Sequence, residues 1–406
     1  MNVLHLGMSD QGGGAANATR RFVAASRERG IDAELHVINR TSGCDFVSSS
    51  VGKLTKLYAL NKPFLERVYF KRTAENLGSP YTSTCLKYPM DLGWINSNFD
   101  IVHMHWIASA FDFGTLSKIK VPIVWTLCDE WAYTGGCHYA FDCEGYKTGC
   151  KNCPMIRSWT DVSSRQLVRK AMLPQSRSMA FVGKSRWVSE RCKQSIVGRS
   201  AEVHTIPNGL DLNLFGRHNK ADARRALGLD AAKKYALFGA VNAKSSLRKG
   251  YAQMKDILNK MRGRIDDLGL VIFGAEEVDS SEFPGYDVTT LGVLRDDLSL
   301  SMAYAAVDVT LFPSLQENLS NVILESIACG TPVVAYNVGG NPDLIVNDIT
   351  GRIVDECDNL GFAEAICDVL VGSAIDSIAC RDFAVKNFNY DRIVGMYQAV
   401  YQGLMA

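Results

Sequence analysis

The chain has 406 residues, too many for one ordinary hydrophobic core, so two domains are expected. Hydrophobic residues at 47% and charged residues at 21% describe a globular protein, and a net charge of +1 excludes a dedicated nucleic-acid binder, which carries a strong basic excess. There is no apolar run long enough to span a bilayer and no basic, apolar leader at Met1, so the 12 cysteines are expected as reduced thiols of a cytoplasmic protein.

Residues 1–7 read as a first strand. Gly12-Gly-Gly-Ala-Ala then opens a helix as a glycine loop, whose backbone a ligand can approach closely; Gly13 and Gly14 are the expected contact points. The alternative is a plain strand-to-helix turn. The loop is not the Gly-x-Gly-x-x-Gly nicotinamide fingerprint, because no acidic residue closes a second strand. Residues 20–29 continue the helix, Gly30 ends it, and residues 33–38 form strand two. Residues 51–72 mix basic side chains with apolar and aromatic ones, among them Lys53, Lys56, Arg67, Leu57, Phe64 and Tyr69. This pattern suits an amphipathic helix packed on its domain, or peripheral contact with an anionic membrane face.

Residues 100–106 are a strand with polar residues at its carboxyl end, where His105 and Trp106 fall near a ligand. Residues 121–127 are the next strand, followed by Cys128 and Asp129. Cys137, Cys143, Cys150 and Cys153 follow in a Cys-x5-Cys-x6-Cys-x2-Cys loop, with His138 beside the first. Four such ligands in a short loop fit a structural tetrahedral zinc. Two disulfides, an iron–sulfur cluster and plain reduced thiols are the other readings. Residues 180–187 are strand, loop and helix start, with Ser185 as cap. At Pro207-Asn-Gly the Asn-Gly pair reverses the chain and marks the domain boundary.

The second domain opens with a strand at residues 235–239. Arg248 and Lys249 follow, able to reach a diphosphate as a fork and as a point charge. Residues 268–273 and 288–294 are further strand–loop units. Residues 307–335 then read strand, loop, helix, glycine stop, strand. The helix is expected from Leu319 to Ala328, with Asn318, Leu319, Ser320 and Asn321 at a start that offers unpaired backbone N–H groups to an anion. Glu317 lies before that helix and Glu325 within it, roughly 9–12 Å apart along the axis at 1.5 Å per residue. Each carboxylate suits a vicinal diol. No Asp-x-Asp pair is present to hold a metal ion on a diphosphate.

Residues 313–335 resemble the Glu-x7-Glu region of the retaining glycosyltransferases of family four, which have the GT-B fold. The resemblance extends over nearly the whole chain. Pro207-Asn-Gly-Leu-Asp211 is similar to that family's inter-domain junction, and Trp131-Ala-Tyr-Thr-Gly-Gly-Cys-His-Tyr139 to a segment of some bacterial polysaccharide glycosyltransferases with following cysteines. The resemblance implies an α/β protein of two Rossmann-like domains facing across a cleft. Residues 1–207 then bind the acceptor, residues 208–390 bind a nucleotide-diphosphate sugar (UDP or GDP), and residues 391–406 form a helix that packs back on the first domain.

In that family the first Glu contacts the donor sugar and the second the ribose, which gives Glu317 and Glu325 those roles. Lys249 matches the family lysine. The family arginine is Ala240 here, so Arg248 or Lys244 has to supply the second cation. Cys128 stands where the family commonly has a histidine; Asp129, His105 or His138 then takes over, or no side-chain base is needed. His105, Trp106 and His138 are placed on the acceptor side. The expected activity is metal-independent transfer of a hexosyl group to a lipid-linked or oligosaccharide acceptor in bacterial surface polysaccharide synthesis. A nucleotide-sugar epimerase or hydrolase of the same fold is the alternative, and a non-enzymic zinc-knuckle adaptor a third reading.

Overall fold

The structure is a computed structural model that describes residues 1–49, 52, 56–57, 60–61, 64–65, 80–83, 91–108, 113–156, 161–239, 246–372 and 375–406. Most of the basic and aromatic stretch 51–72, together with Ala240 and Lys244, lies outside the described residues. The chain forms two compact units, residues 1–209 with 390–406, and residues 210–389. No helix among the described residues is long and apolar enough to cross a membrane.

The first unit holds a parallel sheet of seven strands: β1 (Asn2–Ser9), β2 (Asp32–Asn39), β3 (Val47–Ser48), β4 (Ile101–Met104), β5 (Ile123–Leu127), β6 (Met179–Gly183) and β7 (Glu202–Thr205). Their order is β3-β2-β1-β4-β5-β6-β7. The central strands are near-continuous apolar runs because helices cover both faces of a parallel sheet. The helix Gly14–Glu28 covers one face together with the last helix, Tyr390–Met405, which buries Tyr390, Ile393, Val394, Tyr397, Val400 and Tyr401.

The second unit holds a parallel sheet of six strands: β8 (Lys234–Gly239), β9 (Leu268–Phe273), β10 (Asp287–Thr290), β11 (Val309–Phe312), β12 (Val333–Tyr336) and β13 (Gly351–Val354). Their order is β10-β9-β8-β11-β12-β13. Both units are thus Rossmann-like, as the sequence predicts. In each sheet the strand order reverses at one point, between β1 and β4 in the first and between β8 and β11 in the second. Ligands of open α/β sheets bind at the carboxyl ends of strands beside such a point.

Two local expectations change. The key helix runs Asn321–Ala328, two residues later than predicted, because Ser320 is its N-cap and accepts the Ile323 amide at 3.3 Å. Leu319 is drawn into the apolar core of the unit. Gly209 is not a reversal residue: its φ is not positive, and a Cβ there would lie 2.5 Å from the Tyr390 ring. Close approach between two strands of chain, rather than a tight turn, requires glycine at this junction.

Candidate functional site

The switch point between β8 and β11 sets the loop after β8 beside the loop after β11. The first carries Arg248 and Lys249 in a short 3-10 turn, Leu247–Lys249; the second carries Glu317. Two glycines let these loops touch. Gly250 has φ 69°, and a Cβ there would meet the Pro313 carbonyl oxygen at 1.8 Å. Gly339, in the loop after β12, has φ 54°, and its Cβ would meet the Glu317 carbonyl oxygen at 1.7 Å. That carbonyl accepts the Gly340 amide at 3.2 Å, and the Leu315 amide donates to the Arg248 carbonyl at 2.8 Å. The Glu317 backbone is therefore clamped from both sides before its side chain is considered.

The Glu317 carboxylate accepts from Arg248 Nη1 at 3.0 Å and from Lys249 Nζ at 2.9 Å, both through Oε2. Arg248 Nη1 also donates to the Gln316 carbonyl at 2.9 Å. Burial alone would raise the Glu317 pKa, but the adjacent Lys249 and Arg248 charges outweigh it and hold the value at about 2. One carboxylate and two cations leave a net positive charge, at the place where an anion reaches helix N-termini. The sequence reading put these three residues on one ligand; the direct ion pairs among them are a structural finding.

Glu325 lies in the second turn of the helix Asn321–Ala328 and is buried. Its Oε2 accepts from the Tyr304 hydroxyl at 3.0 Å. Tyr304 belongs to the helix Asp297–Ala306 and is a residue the sequence gave no reason to single out. Ser320 caps the helix, Asn321 is its first residue, and Asn318 is buried just before it.

In the first unit, β1 runs into the glycine loop, and Gly13 and Gly14 sit at the cap and first position of the helix Gly14–Glu28. A Cβ on Gly13 would meet nothing within 4 Å. Asp10 anchors the loop by accepting from the Thr41 and Ser42 amides at 2.9 and 2.8 Å.

The residues expected on the acceptor side separate into two clusters. Trp106, Asp129 and His138 form one. Asp129 Oδ2 accepts from Trp106 Nε1 at 2.7 Å and lies 2.6 Å from His138 Nδ1, while Oδ1 accepts from the Trp131 amide at 2.9 Å. His138 Nε2 is 2.9 Å from Thr82 Oγ1. Burial pushes the Asp129 pKa up, but the His138 charge and these hydrogen bonds bring it below the usual carboxylate range. A carboxylate so engaged is a weak base and orients its neighbours. Cys128 beside it is a neutral thiol, its pKa raised by burial. His105 belongs to the other cluster, where its Nε2 lies 2.9 Å from His5 Nδ1.

The cysteine loop closes on a buried lysine. Lys170 donates to the carbonyls of Trp131 and Thr134 and lies 3.8 Å from the centre of the Trp131 ring. Cys137 and Cys150 are buried, with thiol pKa values raised by burial; Cys143 and Cys153 are half-buried. A thiol donor set suits zinc. The four sulfurs are not gathered on one point, however: among the described residues the only trio of metal-ligating side chains that converges is His5, His103 and His105, with ligand atoms within 4.8 Å of one another. The expected four-cysteine cage is therefore not formed by the side chains as they stand.

Residues 233–371 match the family profile described as Glycosyl transferases group 1. Over 326 residues, 76% of each chain, the sequence is 24% identical to the "Putative colanic acid biosynthesis glycosyl transferase WcaC" of Escherichia coli K12. The fold is similar to sucrose-phosphate synthase of Thermosynechococcus elongatus, with TM-score 0.68, 18% identity and coverage of 100% and 99% of the two chains. It is likewise similar to Anabaena Alr3699/HepE solved with UDP-glucose, with TM-score 0.63, 18% identity and coverage of 100% and 99%. The chain thus has the GT-B fold, and the unit carrying Arg248, Lys249, Glu317 and Glu325 is the one that matches the group 1 glycosyltransferases.

Proposed function

We propose that the chain is a retaining glycosyltransferase. It moves a hexosyl group from a nucleotide-diphosphate sugar to a lipid-linked or oligosaccharide acceptor in the synthesis of a bacterial surface polysaccharide. The observation that carries this reading is the Glu317–Arg248–Lys249 cluster at the switch point of the unit that matches the group 1 profile. Relatives and neighbours support it at the level their names state: one is a colanic acid biosynthesis glycosyl transferase, and another binds UDP-glucose.

In this reading Lys249 and Arg248 neutralise the diphosphate as it leaves, helped by the amide dipoles at Asn318–Asn321. Lys249 donates a single hydrogen bond to Glu317 and has two further N–H groups, so the diphosphate joins the cluster without breaking that pair. Glu317 holds the sugar and Glu325 the ribose. Charge is met by side-chain cations and dipoles, so no divalent ion is required. The first unit, with its glycine loop at Gly13 and Gly14, receives the acceptor, and the leaving phosphate takes the acceptor's proton in a front-face displacement.

The test is donor binding and turnover. Glu325→Ala is expected to weaken UDP-sugar or GDP-sugar binding at least tenfold with the fold intact, measured by calorimetry. Transfer to an acceptor is expected to persist in EDTA. Unchanged donor affinity in Glu325→Ala, or activity that vanishes in EDTA and returns with magnesium, sinks the reading. Conversion of donor without any acceptor would point instead to an epimerase or hydrolase.

A further inference from the structure

By sequence, residues 51–72 suit either a helix packed on its domain or a contact for an anionic membrane face. The structure describes Lys56, Leu57, Leu60, Asn61, Phe64 and Leu65 of this stretch, all of them helical, and they choose between the two. Packing on the domain requires the apolar side chains to leave water. They do not: Leu57 is 60% exposed, Leu60 47%, Phe64 67% and Leu65 47%. The contrast with the helix Gly14–Glu28 is direct. That helix is amphipathic as well, and it buries Phe22 and Val23 in the core of the first unit. Four large apolar side chains between residues 57 and 65, all in water, mark a surface that something else covers.

Charge names the cover. Between residues 51 and 72 the sequence carries Lys53, Lys56, Lys62, Arg67, Lys71 and Arg72 against one acid, Glu66, in a chain whose net charge is only +1. Apolar side chains set among cations match an anionic lipid surface: the acyl boundary takes the leucines and the phenylalanine, and head-group phosphates meet the lysines and arginines. The same cations interrupt any apolar run of the length that a bilayer span requires, so such a contact lies in the plane of the interface. A second copy of the chain docking through the same patch would bring like charges face to face, which is unfavourable.

We propose that Leu57, Leu60, Phe64 and Leu65 form a docking face for the head-group region of an anionic bilayer, held there by the lysines and arginines of the same stretch. The face belongs to the first unit. Its use, to bring that unit to a lipid-linked acceptor, rests on the transfer reading above; the docking itself does not.

The test is flotation of the full chain with vesicles of phosphatidylcholine alone and of phosphatidylcholine mixed with phosphatidylglycerol. Binding to the mixed vesicles is expected, at least tenfold weaker on phosphatidylcholine alone and weaker again as salt is raised. Leu60→Gln/Phe64→Gln should lose at least tenfold in binding to the mixed vesicles and melt no lower than the wild type, because side chains already in water have no packing to lose. Phe64→Trp should keep the binding and add a blue shift of emission on the mixed vesicles that the wild type lacks. The proposal is overturned if the wild type does not float with the mixed vesicles or floats equally with both kinds. It is also overturned if the double variant floats as well as the wild type, or melts lower, which would make these side chains part of the packing of the fold. A wild-type dimer in light scattering that the double variant breaks would give the face to a second copy instead. Vesicle binding that depends on Leu60 and Phe64, in a chain that transfers no sugar, would sink the transfer reading and leave the docking face standing.

Discussion

Glu317 shows how much a single carboxylate depends on its surroundings. Its folded pKa of about 2 lies below the ordinary 4.5, so its stabilising contribution is fully present above about pH 4.5 and is lost as pH falls towards 2. At neutral pH a shift of that size corresponds to something on the order of 3 kcal/mol, because each pKa unit is worth about 1.4 kcal/mol. Glu317→Gln should therefore melt below the wild type at pH 7, and the gap should close through the range from pH 4.5 downward. A gap that stays constant with pH would show that the cations do not act on the carboxylate. In the proposed reading Tyr304 acts at one remove from the donor, through Glu325. Tyr304→Phe removes one buried hydrogen bond to Glu325, worth about 1 kcal/mol, and should lower donor affinity about fivefold while Glu325→Ala lowers it further. At this scale Glu317, Glu325 and Lys249 stood out because the segments that carry them resemble those of a known family; the bare spacing of two carboxylates does not mark a site. Tyr304 did not, because what marks it is its environment, a hydrogen bond to Glu325 across 21 residues.

Elements place these groups, and they do so by backbone contact. Gly250 and Gly339 hold positive φ angles and leave no room for a Cβ against the loop 313–317. Gly250→Ala or Gly339→Ala should each cost at least about 3 kcal/mol of stability, combining left-handed strain with overlap against a carbonyl, and should abolish donor binding before the fold is lost. Urea unfolding and calorimetry on the same samples check both. The helix start shows a different limit. Hydrophobic pattern located the helix well, but not its first residue, because Leu319 satisfies an apolar pattern equally well in a loop that reaches the core. At Gly209 the sequence showed that glycine mattered, while the reason, the Tyr390 ring packed against it, comes from 181 residues away along the chain.

Across the whole molecule, the chain leaves the first unit at Gly209 and returns to it at Tyr390. The returning helix is part of that unit's core. Its Tyr401 and Tyr397 hydroxyls join His103 and Thr126 in one buried hydrogen-bonded chain. Deleting residues 390–406 removes six buried side chains, each worth about 1.5–3 kcal/mol, which together match the whole stability of a typical domain. The truncated protein should therefore lose the first unit to limited proteolysis while residues 210–389 survive as a resistant fragment. Equal resistance of both units would refute the integral role of the helix.

From the sequence alone came the α/β class, the glycine loop, a domain boundary placed after residue 207, where the structure divides after Gly209, and the candidate acidic pair Glu317 and Glu325. The strands, the glycine loop and the boundary are written in local periodicity and turn chemistry, which depend on neighbours along the chain; the acidic pair was singled out by the resemblance of its segment to a known family. Only the tertiary structure decided that Glu317 is flanked by two adjacent cations, that Asp129 is engaged by a tryptophan and a histidine, and that no three of the four cysteine sulfurs, all among the described residues, converge to the spacing of a shared ion. Those outcomes depend on which strand ends the sheet order sets side by side, and charge, burial and hydrogen bonding act through space without regard to distance along the sequence.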